Sequence, residues 1–384
     1  MASLTVTVRP RLLRWARERA ALEPAELARR VGLRPERVAE WEATGRLTLS
    51  HLQRVAEKTH TPIGFLFLTE PPEQELSVAD FRQARPGERR EPSLELLDTL
   101  QVCEQRQQWF REYVTTEGQE PLQFVGSANP NEAPESIARR IRETLQLDAA
   151  RRAAFATWVE ALRDLFEKVE AIGILVMRNG VVGNNTHRRL SVDEFRGFSL
   201  SDPWAPLIFV NAADAKSAQM FSVAHELAHI WRGESGISDD DPRSRVPEER
   251  FCNQVAAELL VPGDDLLQQW RRRSEPQEEA ARLARAFKVS SLVMLIRARE
   301  LELIDDESFQ ALYADERTRA RAPTEEGGGD FYRTQRSRLG RRFATAVIAS
   351  AIEGRTTYKE AFRLLGVRKS ATFEELARNL GVIG

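Results

Sequence analysis

The sequence predicts an α+β chain that is mostly helical, with a small helical bundle at the N-terminus, a central domain holding a small β-sheet, and a helical C-terminal module. Three observations predict it. Apolar residues recur at three-to-four spacing through most of the 384 residues, with breaks at Gly and Pro. Short β-rich runs are confined to the stretch between residues 172 and 210. Charge is segregated: residues 1–70 hold 12 Arg/Lys against 8 Asp/Glu and residues 331–384 hold 11 against 4, so ends of +4 and +7 flank a middle of −13 within a net charge of −2.

The first module reads as four short helices, 10–20, 24–31, 35–42 and 49–59, broken at Gly32 and Gly45. Thr61-Pro62 closes it and Pro71-Pro72 marks its boundary, which sets a domain over 1–72. A helical connector follows over 73–165, with a strong helix at 94–116 and a second helical run from Pro134 to about Glu170. The period then changes. Ile172 to Met177 and Pro206 to Val210 are β-rich, and Asn179-Gly180 is a hairpin signal between strands. Helices resume from Ala215 to about Leu312 and complete a domain over 166–315. Residues 316–330, with Gly327-Gly328-Gly329, read as a flexible linker, and 331–384 as a basic helical module.

Composition excludes several classes. At 42% hydrophobic and 30% charged the chain is neither disordered nor fibrous. Its longest apolar runs fall far short of the roughly 20 residues of a membrane span. Two cysteines, Cys103 and Cys252, cannot make a disulfide framework, and Met1 to Thr5 has no signal-like character, so cytoplasm is the expected compartment.

Only five histidines occur, and two of them stand four residues apart in His225-Glu226-Leu227-Ala228-His229. On a helix this H-E-x-x-H spacing puts both imidazoles on one face, where each can reach one zinc ion at about 2.0–2.1 Å. Glu226 is offset so that its carboxylate reaches a water in the fourth coordination position, the place of a metallopeptidase general base. The composition predicts about 0.005 such matches by chance. The apolar flanks Phe221, Val223, Ala224 and Ile230 fit a buried helix, and Gly233 supplies its stop. A third ligand is required. Pro247 opens a second helix that Val261-Pro262 ends, and Glu249 shares a face there with Cys252, Asn253 and Ala256. Glu249 is the favoured ligand and Glu248 the near alternative; Cys252 reads as a small buried hydrophobe.

Phe195-Arg196-Gly197-Phe198, Pro206 to Asn211, Phe221 to His229 and Glu249 to Pro262 together resemble the ImmA/IrrE family of zinc metallopeptidases. The resemblance implies a zincin-like (HExxH) domain and carries the third-ligand role onto Glu249, four residues before Asn253. Cys252 stands where that family usually has a small residue. A gluzincin-like endopeptidase is implied, with Zn2+ held by His225, His229 and Glu249 and with Glu226 as general base. The implied substrate is a regulatory protein, a helix-turn-helix repressor or an antitoxin-like partner, in stress, phage or toxin-antitoxin control. His187 is a candidate second stabiliser of the transition state.

Residues 10–70 resemble an XRE-type helix-turn-helix domain in the spacing of Leu13 to Ala20, Pro24 to Leu33 and Val38 to Glu42 with Gly45. The resemblance implies that the helix after the Gly turn enters the major groove, with Arg34 and Arg37 as DNA contacts. Glu36 and Glu40 on the same face oppose phosphate, and docking on a protein is the alternative use. In the last module Thr356 to Val367 resembles half of a helix-turn-helix, and the arginines at 333, 336, 338, 341 and 342 make it a second candidate DNA surface. The competing reading of the whole chain is a non-catalytic DNA-binding transcriptional regulator with a structural zinc site. Glu226 separates the two, because a structural site needs the histidines and not that carboxylate.

Overall fold

The computed structural model describes residues 4–20, 22–72, 76–82, 92–129, 131–238, 244, 246–320 and 338–383. The observed architecture is α+β and mostly helical, in two compact units.

The first unit comprises Met1–Ser77 with Arg90–Asp98. β1 (Thr5–Thr7) leads into α1 (Pro10–Arg19), α2 (Pro24–Val31) and α3 (Pro35–Thr44); β2 (Arg46–Thr48) and α4 (Leu49–Lys58) follow. The three proline-initiated helices use Pro at the first turn, where the missing N–H costs nothing. Gly32, at φ 76°, makes the left-handed turn between α2 and α3. Gly45 has a second constraint, since a Cβ there would lie 2.0 Å from the Val8 carbonyl oxygen. Leu12, Ala16, Leu27, Val38, Trp41, Leu52 and Leu66 form the core. Into it reaches a buried ion pair, Arg17 Nε donating to Glu42 Oε1 at 2.6 Å and Nη2 to Oε2 at 3.1 Å. The antiparallel β1–β2 pair was not expected from sequence, because three residues are too short for a periodic signal.

The second unit comprises Val78–Arg89 with Thr99–Gly384. From Thr99 onward, the stretches read from sequence as connector, central domain and C-terminal module fall in this unit, whereas the connector's 73–77 and Arg90–Asp98 fall in the first. β3 (Ala79–Asp80) precedes α5 (Leu94–Thr116), whose first residues are counted with the other unit. The helical run expected over 134–170 is three helices, α6 (Pro134–Thr144), α7 (Ala149–Ala154) and α8 (Trp158–Ala171). Thr157 restarts the chain as α8 with a capping box closed by Glu160. Then come β4 (Leu175–Asn179), β5 (Val181–Val182), β6 (Asn185–Arg189), β7 (Gly197–Leu200), β8 (Leu207–Asn211), α9 (Lys216–Arg232), β9 (Gly236–Ser238), α10 (Pro247–Leu260), α11 (Gly263–Gln269), α12 (Pro276–Phe287), α13 (Ser291–Glu300) and α14 (Asp306–Ala320). The chain closes with α15 (Arg341–Ile352), α16 (Tyr358–Leu365) and α17 (Ser370–Leu380). Of the expected linker, residues 321–330 lie outside the described residues, as do Arg333 and Arg336.

The main sheet has the order β3-β9-β7-β8-β4, with β4 parallel to β8, β7 antiparallel to both β8 and β9, and β3 parallel to β9. Every residue of β7 and β8 is buried, so both sheet faces are covered. Val176 of β4 joins the core beneath α8 and α9, whereas Met177 faces Cys103 of α5 at 3.9 Å. The hairpin expected at Asn179-Gly180 is different. β4 pairs with β8, and the hairpin is the next one, β5–β6. Leu175, Val176 and Met177 are all buried, which a solvent-facing hairpin arm could not achieve. The C-terminal helices pack on the same body: Arg106 Nε donates to the Leu364 carbonyl at 3.0 Å, the Arg342 N–H to Glu170 Oε1 at 3.0 Å, and Arg338 Nη1 to Asn184 Oδ1 at 2.6 Å. Among the described residues no helix is long and apolar enough to cross a membrane.

Candidate metal centre

The centre is built by two helices and a strand. In α9 all residues from Gln219 to Trp231 are buried, and Gly233 ends the helix in the left-handed conformation at φ 75°. α10 packs on α9, and its small residues Cys252, Ala256 and Ala257 allow a close approach that brings Glu249 to the histidines.

His225, His229 and Glu249 are each 0% exposed, and their donor atoms converge. His225 Nε2 and His229 Nε2 lie 3.1 Å apart; Glu249 Oε1 is 3.1 Å from His229 Nε2, and its Oε2 is 3.3 Å from His225 Nε2. Tetrahedral zinc with ligands at about 2.0–2.2 Å sets its donors about 3.3–3.6 Å apart, which this set nearly matches. The far sides of the rings decide the chemistry. Asn253 Oδ1 lies 3.0 Å from His225 Nδ1 and Glu234 Oε2 lies 3.3 Å from His229 Nδ1. Both partners accept, so each Nδ1 carries the proton and each Nε2 turns a lone pair to the common centre. Two lone pairs and a carboxylate that converge in this way form a candidate cation site, and the residues present are compatible with zinc.

Electrostatics agree. Burial pushes the Glu249 carboxyl up, but His225 and His229 outweigh it and hold the group at about 2. Burial likewise works against the Glu234 carboxyl, yet His229 and the Arg232 fork, at 2.8 and 2.7 Å, hold it at about 2. Burial alone would lower His229; Cys252, Glu234 and Glu249 raise it well above its ordinary value. The site stabilises positive charge at His229, and a proton competes there with a metal ion.

Of the residues expected from sequence, His225, His229 and Glu249 come together, while Glu248 is half-buried and outside the cluster. Glu226 is 0% exposed and lies against β7, where a Cβ on Gly197 would come within 2.9 Å of its Oε1. Cys252 is buried, with Glu234 and His229 within 4.8 Å of it. His187 stands exposed on β6, its backbone N–H bonded to Asn185 Oδ1, and is not among the converging groups. In the N-terminal unit Arg34 and Arg37 are both exposed at the start of α3, but Arg37 Nη1 donates to Glu40 Oε2 at 2.6 Å. His51 closes the Thr48 cap and packs on Trp41, a structural role.

Sequence reasoning missed Glu234, Ser238 and Phe81. Ser238 Oγ donates to Glu249 Oε1 at 3.4 Å, and the Phe81 ring stacks on His229 at 5.2 Å and 6°. Glu234 had a signal of sorts, standing just past the Gly233 stop. Phe81 had none, being far from the motif in the chain.

Residues 339–379 match the model of a domain of unknown function (DUF8813). No curated protein matches the chain. Residues 169–299, which carry β4 to β9 and both helices of the centre, match the model of the IrrE N-terminal-like domain, Peptidase_M78, a similarity that supports a metallopeptidase-type function.

Proposed function

We propose that this chain is a zinc-dependent endopeptidase that cleaves a regulatory protein, a helix-turn-helix repressor or an antitoxin-like partner, in the cytoplasm. The observation that carries the reading is one helix presenting two Nε2 lone pairs to Glu249 while its Glu226 carboxylate sits buried against β7. His225, His229 and Glu249 would hold the metal. A bound zinc ion supplies Lewis acidity that polarises the scissile carbonyl and makes an attacking water more acidic. Glu226 takes that water's proton and passes it to the leaving amine. Asn253 and Glu234 hold the two imidazoles in the ligating tautomer, and Arg232, braced over Phe251 at 4.9 Å, fixes Glu234. The N-terminal unit, read as an XRE-type helix-turn-helix, selects the target by protein docking or through DNA contacts at Arg34 and Arg37. The Arg37–Glu40 pair favours docking, because it cancels charge that phosphate needs.

The test is co-expression with the repressor of a neighbouring gene, comparing the wild-type chain with Glu226→Gln. Wild type cuts the repressor and the variant, still loaded with zinc, leaves it intact. Cutting by both sinks the proposed mechanism. One observation favours a second reading, a DNA-binding regulator with structural zinc: the ligands are completely enclosed. Cutting by neither chain, with zinc retained, supports that reading.

A further inference from the structure

His225, Glu226, His229 and Glu249 are all 0% exposed, yet a peptidase must admit a polypeptide backbone to them. Among the described residues, Val78–Arg82 lies over His229 through the Phe81 ring. Its strand β3 is only two residues long, pairing Ala79 with Gly236 and Asp80 with Ile237, and is continued by one hydrogen bond from the Phe81 N–H to the Ile237 carbonyl at 3.1 Å. Ala79 and Asp80 are exposed, so the segment lies on the surface. Phe81 is half-buried and lies flat on the His229 imidazole, its ring edge running where a Cβ on Gly236 would come within 2.1 Å of it. Gly236 is therefore a platform that leaves room for an aromatic ring beside a metal ligand. The next side chain anchors the segment. The Arg82 guanidinium is 0% exposed and donates to Asp80 at 2.7 Å twice and to Glu194 Oε1 at 3.2 Å.

The geometry points to a peptide-binding edge, occupied here by the chain itself. We infer that the β9 edge, the Gly236–His229 platform and Glu194 receive an extended substrate peptide bearing an aromatic residue followed by arginine, and that Val78–Arg82 is an internal occupant that must leave before it binds. Strand addition supplies sequence-independent hydrogen bonds, while the platform and Glu194 read the aromatic ring and the guanidinium. The inference rests on the peptidase reading for the meaning of the site, but peptide capture needs neither zinc nor Glu226. Two-residue pairing with one stacked ring makes exchange feasible, and the free chain stays closed because an attached segment outcompetes a free one.

The experiment uses the full chain, a fluorescein-labelled peptide Ser-Val-Ala-Asp-Phe-Arg, and a chelator that extracts zinc from the loaded protein. Phe81→Ala should bind the peptide at least about tenfold tighter than wild type and surrender zinc at least about tenfold faster, because the competent, open population rises. Arg82→Lys, which cannot fork onto Asp80 and Glu194, should shift both readouts in the same direction with the ring site intact. A peptide with Ala in place of its Phe should lose the gain. Unchanged zinc extraction in both variants, with wild-type circular dichroism, overturns the cover; faster extraction without peptide binding overturns the substrate edge. Failure of repressor cutting leaves both readouts intact, so the two readings fail separately.

Discussion

Gly197→Ala tests whether Glu226 acts by its position. β7 is held between β8 and β9, so its backbone cannot retreat. A Cβ at Gly197 would stand 2.9 Å from Glu226 Oε1, 3.3 Å from Glu226 Cγ and 3.1 Å from the Phe209 carbonyl oxygen. Ordinary contact begins near about 3.5 Å, so the carboxylate must withdraw by about 0.5–1 Å. Displacement of that order costs about 10²-fold in rate, and overpacking costs about 1–3 kcal/mol of stability. None of the atoms nearest that Cβ belongs to His225, His229 or Glu249, so zinc content is expected to hold. Cleavage rate, zinc per chain and thermal melting, measured on wild type, Gly197→Ala and Glu226→Gln, check this. Wild-type rate in Gly197→Ala, or loss of zinc in step with loss of rate, refutes the reasoning.

Three further outcomes are expected. Glu249→Ala should lose zinc by metal analysis while Glu248→Ala keeps it, since only Glu249 reaches the histidines. Arg17→Ala removes both short hydrogen bonds to buried Glu42 and leaves it only the exposed Arg14 at 3.8 Å, which should cost about 1–3 kcal/mol in the first unit, whereas Arg17→Met with Glu42→Leu should recover most of it in denaturant melts. Glu279 is held below its ordinary value first by Arg282 and then by the Arg271 N–H; a carboxyl lowered in the folded state stabilises above its unfolded value and loses that as pH falls. Glu279→Gln should therefore melt below wild type at pH 7, with the gap closing below about pH 4.

Much of the centre was legible in the sequence because one helix carries most of it. Two histidines one turn apart share a face wherever the helix lies, and a glutamate between them is offset by the same geometry. Glu249 was legible for a related reason, since it shares a face with the small residues that let α10 approach α9. The bundle helices were legible too, each bounded by a proline, a capping threonine or a left-handed glycine.

The rest depended on contacts between distant segments. The hairpin expected at Asn179-Gly180 gave way to a parallel pairing of β4 with β8, because only a strand covered on both faces can bury Leu175, Val176 and Met177 together. Period changes and breakers divide the sequence into five parts, whereas contacts between distant segments group the chain into two compact units. The donor types and their helical spacing were determined by the sequence alone, because local geometry repeats along one helix. Tertiary structure alone decided that Glu234 and Asn253 set the imidazole tautomers, that Gly197 backs Glu226, and that Phe81 lies over His229, because those contacts join segments whose separation in the chain carries no periodic signal.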